Sequence, residues 1–224
     1  MSKMQSGTSD DLTRPVSAAR APVRPSFDAL TISLHWIALL LVLVLLGSGL
    51  LYGQVEDRPW ATTLLLVHRS VGVTLWALTV FRLVWRWTGA RFPPFPASMS
   101  RLHRLAARLS EYGLYALLLL QPATGLAQSV LRGRPFGLFA WTLPPVVPVH
   151  LGYAQLFQGF HELGVWCLVA LVGLHAAAAI FHHFVRRDDV LEAMAPVLRR
   201  EHSQVGRNEL RHNPSHVRVR ANVD

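Results

Sequence analysis

The sequence is poor in charge and in cysteine. Only 16% of its 224 residues are Asp, Glu, Lys or Arg, against about 25% in an average soluble domain. That is too little charge to clothe an ordinary soluble enzyme. A single cysteine, Cys167, excludes an intrachain disulfide and any cysteine-rich metal or iron–sulfur site. Acids are scarce, 13 against 22 Lys and Arg, which leaves a formal charge of +9. What is abundant is apolar surface: 51% of residues, with a mean hydropathy of +0.30. That composition excludes a disordered chain. A pI near 11.1 suits nucleic acid only when the basic residues share a folded polar face. Here they lie between long apolar runs, so no nucleic-acid partner is expected.

Four runs reach the length of about 20 apolar residues that a membrane-spanning helix needs. They cover residues 31–52, 62–87, 112–131 and 160–185. The first is too long in its apolar core for a signal peptide and has no small-residue cleavage site after it. Aromatic residues near the run ends (Trp36, Tyr52, Trp60, Trp85, Trp87, Tyr112, Trp141) suit interfacial anchoring. Eighteen of the 22 basic residues fall on one side: the N-terminal stretch, Arg82–Arg108 and the C-terminal stretch. The other side holds Arg58, Arg69, Arg132 and Arg134. The positive-inside rule then predicts both termini in the cytoplasm.

The expected organisation is a flexible basic tail (1–28), a four-helix transmembrane domain (29–195) and a second flexible basic tail (196–224). Residues 92–96 (FPPFP) read as a rigid break. Residues 99–109 read as an amphipathic stretch on the cytoplasmic surface. Residues 133–148 read as an ordered outer loop or short re-entrant cap.

Histidine inside a span is costly and marks function. Four of the eleven histidines are clear cases: His35, His68, His161 and His175. On the fourth span His161 and His175 are 14 residues apart. That is about 21 Å along the axis and within about 40° of four whole turns, so both face one way at two depths. Alternating topology matches His35 in depth with His175, and His68 with His161. Facing histidines on antiparallel helices suit a bis-histidine haem iron. Gly72, Gly164, Ala178 and Ala179 are the small residues expected to make room for a flat ring. Arg69, Arg82 and Arg86 are candidate propionate partners. A proton relay would usually include buried carboxylates, yet the acids nearest the spans, Glu111 and Glu162, stand at span ends. Zinc would want further ligands. A single intramembrane histidine is as often a packing residue as a ligand, and small residues serve helix packing equally well. Two depth-matched pairs are harder to explain that way.

The segments ISLHW, LLVHRSVG, FHELGVW and GLHAAAAIFHHF resemble the bacterial cytochrome b561 family, over about residues 27–196. The resemblance implies an all-α, integral-membrane four-helix bundle with two b-type haems between the helices. It implies axial ligands His35 and His175 for the inner haem, and His68 and His161 for the outer. One member type moves an electron from superoxide to ubiquinone. Other relatives are cytochrome subunits that anchor hydrogenases or formate dehydrogenases. The favoured expectation is superoxide-to-ubiquinone electron transfer. The alternative is a carrier subunit for a dehydrogenase, a hydrogenase or a soluble periplasmic redox partner, and a haem-free transporter or signalling protein is a further rival. His182 is seven residues after His175, within about 20° of two turns and about 10 Å nearer the cytoplasm. It is the candidate hydrogen-bond or proton donor to a quinone, with Ser33, Arg82 and Arg86 as helpers. An ordinary interfacial role for His182 and His183 is the competing reading. His103 and His150 are expected to be solvated, and His202, His212 and His216 uninvolved. Arg58, Arg69, Arg132 and Arg134 give the outer end a positive mouth that would attract an anion, offset in part by Glu56, Asp57 and Glu162.

Overall fold

The computed structural model describes residues 27–90, 99–187 and 190–198. Both tails (apart from residues 27–28 and 196–198), the 92–96 break and His202, His212 and His216 lie outside the described residues. Four long helices dominate: α1 (Ala29–Tyr52), α2 (Arg58–Thr88), α3 (Arg101–Leu131) and α4 (Leu151–Phe181). A β-hairpin, β1 (Phe136–Leu138) with β2 (Trp141–Leu143), separates α3 from α4. One π-helical turn, His182–Arg186, extends α4, and a short α5 (Val190–Met194) follows. Helix α1 packs on α2, α2 on α3, and α3 on α4. The bundle therefore runs up-down-up-down, with one end carrying the hairpin and the other carrying residue 28 and α5.

Local chemistry sets the helix ends. Asp28 starts α1: its carboxylate accepts from the Thr31 amide at 2.9 Å and the Thr31 hydroxyl at 2.7 Å. Such a cap contributes about 1 kcal/mol. The same carboxylate accepts from the Trp85 indole at 3.3 Å, tying the end of α2 to the start of α1. Gly133, at φ +61°, turns the chain out of α3, a conformation that costs glycine little.

Each helix is long and apolar enough to cross a membrane. Large apolar side chains such as Leu40, Leu43, Leu120, Leu163 and Leu174 are exposed, as lipid-facing positions are. The helices exceed the expected spans. Helix α4 begins nine residues before the expected 160, and α3 begins at Arg101 rather than 112. The stretch 99–109 is thus not a separate surface helix. Its described part continues unbroken into α3, because no helix breaker separates Arg101 from Tyr112. The 133–148 loop contains the β-hairpin. It is fastened to α2 where the Phe139 amide donates to Ser70 Oγ at 2.7 Å.

A small core of Ala38, Val42 and Leu75 lies mid-bundle, flanked by Leu41, Leu45, Leu46, Leu78 and Leu118. Leu75 is 2% exposed. It sits seven residues after His68 and seven before Arg82, so this core separates two polar levels of the bundle.

Candidate functional site

Two histidine pairs occupy those levels. At the terminal end the rings of His35 (α1) and His175 (α4) have centroids 6.2 Å apart, tilted by 53°. At the hairpin end those of His68 (α2) and His161 (α4) are 6.1 Å apart, at 77°. Among the described residues no cluster of three or more His, Cys, Asp or Glu forms, so each donor set is a pair of imidazoles.

The hairpin pair is held by two matching constructions. His68 Nδ1 lies 3.1 Å from the Leu45 carbonyl and 3.1 Å from Ser48 Oγ on α1. His161 Nδ1 lies 3.0 Å from the Gln121 carbonyl and 3.2 Å from Thr124 Oγ1 on α3. In each case the hydroxyl also donates to that same carbonyl, at 3.2 and 2.9 Å. A carbonyl can only accept, so both imidazoles carry their proton on Nδ1, and Nε2 keeps its lone pair. Glycine completes each cradle. A Cβ on Gly49 would lie 3.3 Å from His68 Cε1, and one on Gly125 would lie 3.0 Å from His161 Cε1.

These glycines stand in addition to the small residues expected from the sequence to make room for a flat ring. Gly164 abuts the Gln121 side chain, whose Nε2 donates to the His161 carbonyl at 3.0 Å. Gly72 has Leu45 as its near neighbour and lines the cavity at this end. Ala178 is exposed and Ala179 half-buried. The sequence reading overlooked Gly49 and Gly125. Their signal is a Ser-Gly and a Thr-Gly pair in mid-helix (Ser48-Gly49 and Thr124-Gly125).

The cavity at the hairpin end measures about 370 Å³ and lies among all four helices, within the usual range for ligand sites. His68, His161, Gly49 and Gly125 line its interior, while Arg69, Arg132, Gln158 and Glu162 supply its polar groups. Arg69 Nε donates to Ser129 Oγ at 3.2 Å, and its guanidinium lies 5.3 Å from the Phe136 ring. Arg132 donates to Gln158 at 2.8 Å, and Gln158 donates to Glu162 at 2.8 Å.

The terminal level is built differently. Arg82 Nη2 stands 3.4 Å from His35 Nδ1, and its guanidinium is 5.5 Å from the Tyr115 ring. Its Nε is buried with no hydrogen-bond partner. Arg86 is ion-paired with Glu111 and lies 6.0 Å from the same ring. His182 is 8% exposed, while the neighbouring His183 is only half-buried. Ser33 is exposed and, about 200° around α1 from His35, is not brought to the pair. His103 and His150 are exposed, His103 beside its helix-capping Ser100 and His150 at the start of α4. The Trp36 indole donates to the Met194 carbonyl at 3.0 Å, which fastens α5 beside the terminal pair.

Comparison with known proteins yields a consistent set. The profile of prokaryotic cytochrome b561 matches residues 26–196. Cytochrome b561 homolog 2 of Escherichia coli K12 is 29% identical over 170 residues, covering 75% of this chain and 90% of that protein. Cytochrome b561 homolog 1 of the same organism is 30% identical over 182 residues, covering 76% and 97%. The probable superoxide oxidase CybB of Yersinia pestis is 28% identical over 174 residues, covering 76% and 96%.

Proposed function

Because the chain belongs to the prokaryotic cytochrome b561 family of membrane electron-transfer proteins, which bind b-type haem, we propose that it holds two haem b groups. His35 and His175 hold one, and His68 and His161 hold the other. The observation that carries this reading is the ring spacing, 6.2 and 6.1 Å. Metal–imidazole nitrogen bonds are about 2.0–2.1 Å long, and a ring centre lies roughly 1 Å behind its nitrogen. Two imidazoles sharing one metal therefore have centres about 6 Å apart. The unpartnered Arg82 Nε beside the terminal pair suits a carboxylate such as a propionate. Arg69 has the corresponding place at the hairpin pair.

When bound, such a group would supply one-electron exchange, with the two imidazoles of each pair holding it. The chain does the rest. The Nδ1 bonds of His68 and His161 keep their Nε2 atoms unprotonated and aimed. Ala38, Val42 and Leu75 keep water out of the interval between the levels. At the terminal end the buried His182 is the group placed to donate a proton to a reduced quinone. At the hairpin end Arg69 and Arg132 favour a small anionic donor. Superoxide is the donor we favour, by likeness to the probable superoxide oxidase of Yersinia pestis, and ubiquinone is the acceptor. The distribution of basic residues supports a cytoplasmic terminal end and an outer hairpin.

Purified full-length protein tests both parts. Its dithionite-reduced spectrum should show a b-type α-band at two haems per chain, and a spectrum without that band rejects the haem reading. Under anaerobic conditions a superoxide source should reduce the protein, and added ubiquinone should reoxidise it. No reduction by superoxide rejects that donor and leaves the carrier-subunit role, which a co-purifying partner would then support.

A further inference from the structure

Net charge does not distinguish the two histidine pairs. Arg69 and Arg132 with Glu162 attend one, and Arg82 and Arg86 with Glu111 attend the other. The atoms facing Nδ1 do distinguish them. At the hairpin end both Nδ1 hydrogens are given to oxygens: a backbone carbonyl and a hydroxyl in each case. The hydroxyl's own proton goes to the same carbonyl, which strengthens the set cooperatively. Such acceptors make an imidazole a more electron-rich ligand, which favours the oxidised form of whatever it binds. At the terminal end His35 Nδ1 faces the Arg82 guanidinium instead. A permanent cation beside the ligand favours the form with one more electron. Arg69 also carries a charge beside the hairpin pair, but its described contacts are with Ser129 and the Phe136 ring, whereas Arg82 Nη2 stands at a histidine nitrogen.

We infer that these side chains build a fixed redox step into the bundle: the Leu45–Ser48 and Gln121–Thr124 cradles make the hairpin level the electron donor, and Arg82 makes the terminal level the acceptor. The inference rests on the ligation proposed above. The step moves one electron from the reduced hairpin level to the oxidised terminal level, with no proton transferred and no bond made or broken. Arg82, Ser48 and Thr124 act through the histidines and are positioning residues.

Optical redox titration of the full-length protein tests this, with His161→Ala marking which wave belongs to the hairpin level. Wild type should give two one-electron waves. The terminal level should be preferred at least tenfold, which is 59 mV for one electron. Arg82→Gln should lower the upper wave alone and cut the preference about tenfold, whereas Arg82→Lys should keep it. The double variant Ser48→Ala, Thr124→Val should raise the lower wave alone. A hairpin level that titrates at or above the terminal level overturns the inference, as do waves unmoved by Arg82→Gln. Should Arg82→Gln fail to hold its cofactor, the wild-type order of waves and Arg82→Lys still decide. Wild-type protein without b-type absorption rejects the ligation reading instead.

Discussion

Replacing Gly125 by alanine should cost the hairpin level its cofactor while sparing the helix that carries the residue. The new Cβ would lie 3.0 Å from His161 Cε1 and 3.2 Å from Nδ1. Ordinary carbon contacts need about 3.5–4.0 Å, so the ring must retreat by roughly 0.5 Å. The same ring is bonded to Gln121 and Thr124, which stand on α3 beside Gly125. Retreat therefore stretches both bonds toward about 3.5 Å, where hydrogen bonding fades. Overpacking costs about 1–3 kcal/mol, and a weakened hydrogen bond roughly 0.5–1.5 kcal/mol more. At 1.4 kcal/mol per factor of ten, occupancy of this site should weaken roughly ten- to a thousandfold. The α3 helix does not suffer, because alanine is the better helix former by about 1 kcal/mol. Haem per polypeptide in the purified variant is the assay, with Gly173→Ala as the control because nothing lies within 4 Å of its added Cβ. Gly125→Ala should fall from two haems toward one, and Gly173→Ala should keep two. A Gly125→Ala protein with two haems and an unchanged spectrum would refute the placement of His161 as a ligand held against this glycine.

Three further outcomes follow from the same geometry. His175→Ala should lose the terminal-level haem and keep the hairpin one; full occupancy of both would show the pairing to be wrong. His182→Gln should leave haem content unchanged and slow reoxidation by ubiquinone, so an unaltered reoxidation rate removes His182 from the quinone site. Glu111→Gln breaks the ion pair with Arg86, whose side chains are 19% and 35% exposed. Both side chains are only partly exposed, so thermal unfolding should register about 1–3 kcal/mol, and a much larger loss would mean that Glu111 holds more than Arg86.

The helices were legible because membrane solvent makes them so: a run of about 20 apolar residues has few other uses. Their full lengths were not, because α3 and α4 extend past the apolar runs into stretches with ordinary helix composition, such as 101–111 and 151–159. The hairpin was hidden for a different reason. Its strands are three residues each, too short for a period-two pattern to rise above the neighbouring prolines and glycines. What holds it is the tertiary bond from Phe139 to Ser70, which no local pattern announces.

Pair membership of the histidines could be read from spacing and alternation alone, but their surroundings could not. Helices α1 and α4 are apolar on every side, so hydropathy does not say which face turns inward. Only the histidines mark it. Ser48, Gly49, Thr124 and Gly125 pass as packing residues until the rotation of α1 and α3 is known. Arg82 was within reach of the sequence by the argument used for α4. It follows His68 by 14 residues, the interval that separates His161 from His175. At about 100° per residue that interval returns to nearly the same face, so α2 presents an imidazole at one level and a guanidinium at the other. Where α4 repeats a histidine, α2 changes to a cation. With the cradles of α1 and α3, helix α2 thus sets the chemical difference between two levels whose ring spacings are nearly equal, 6.1 and 6.2 Å. Any direction of electron flow must come from that difference, because the ring spacings themselves supply none.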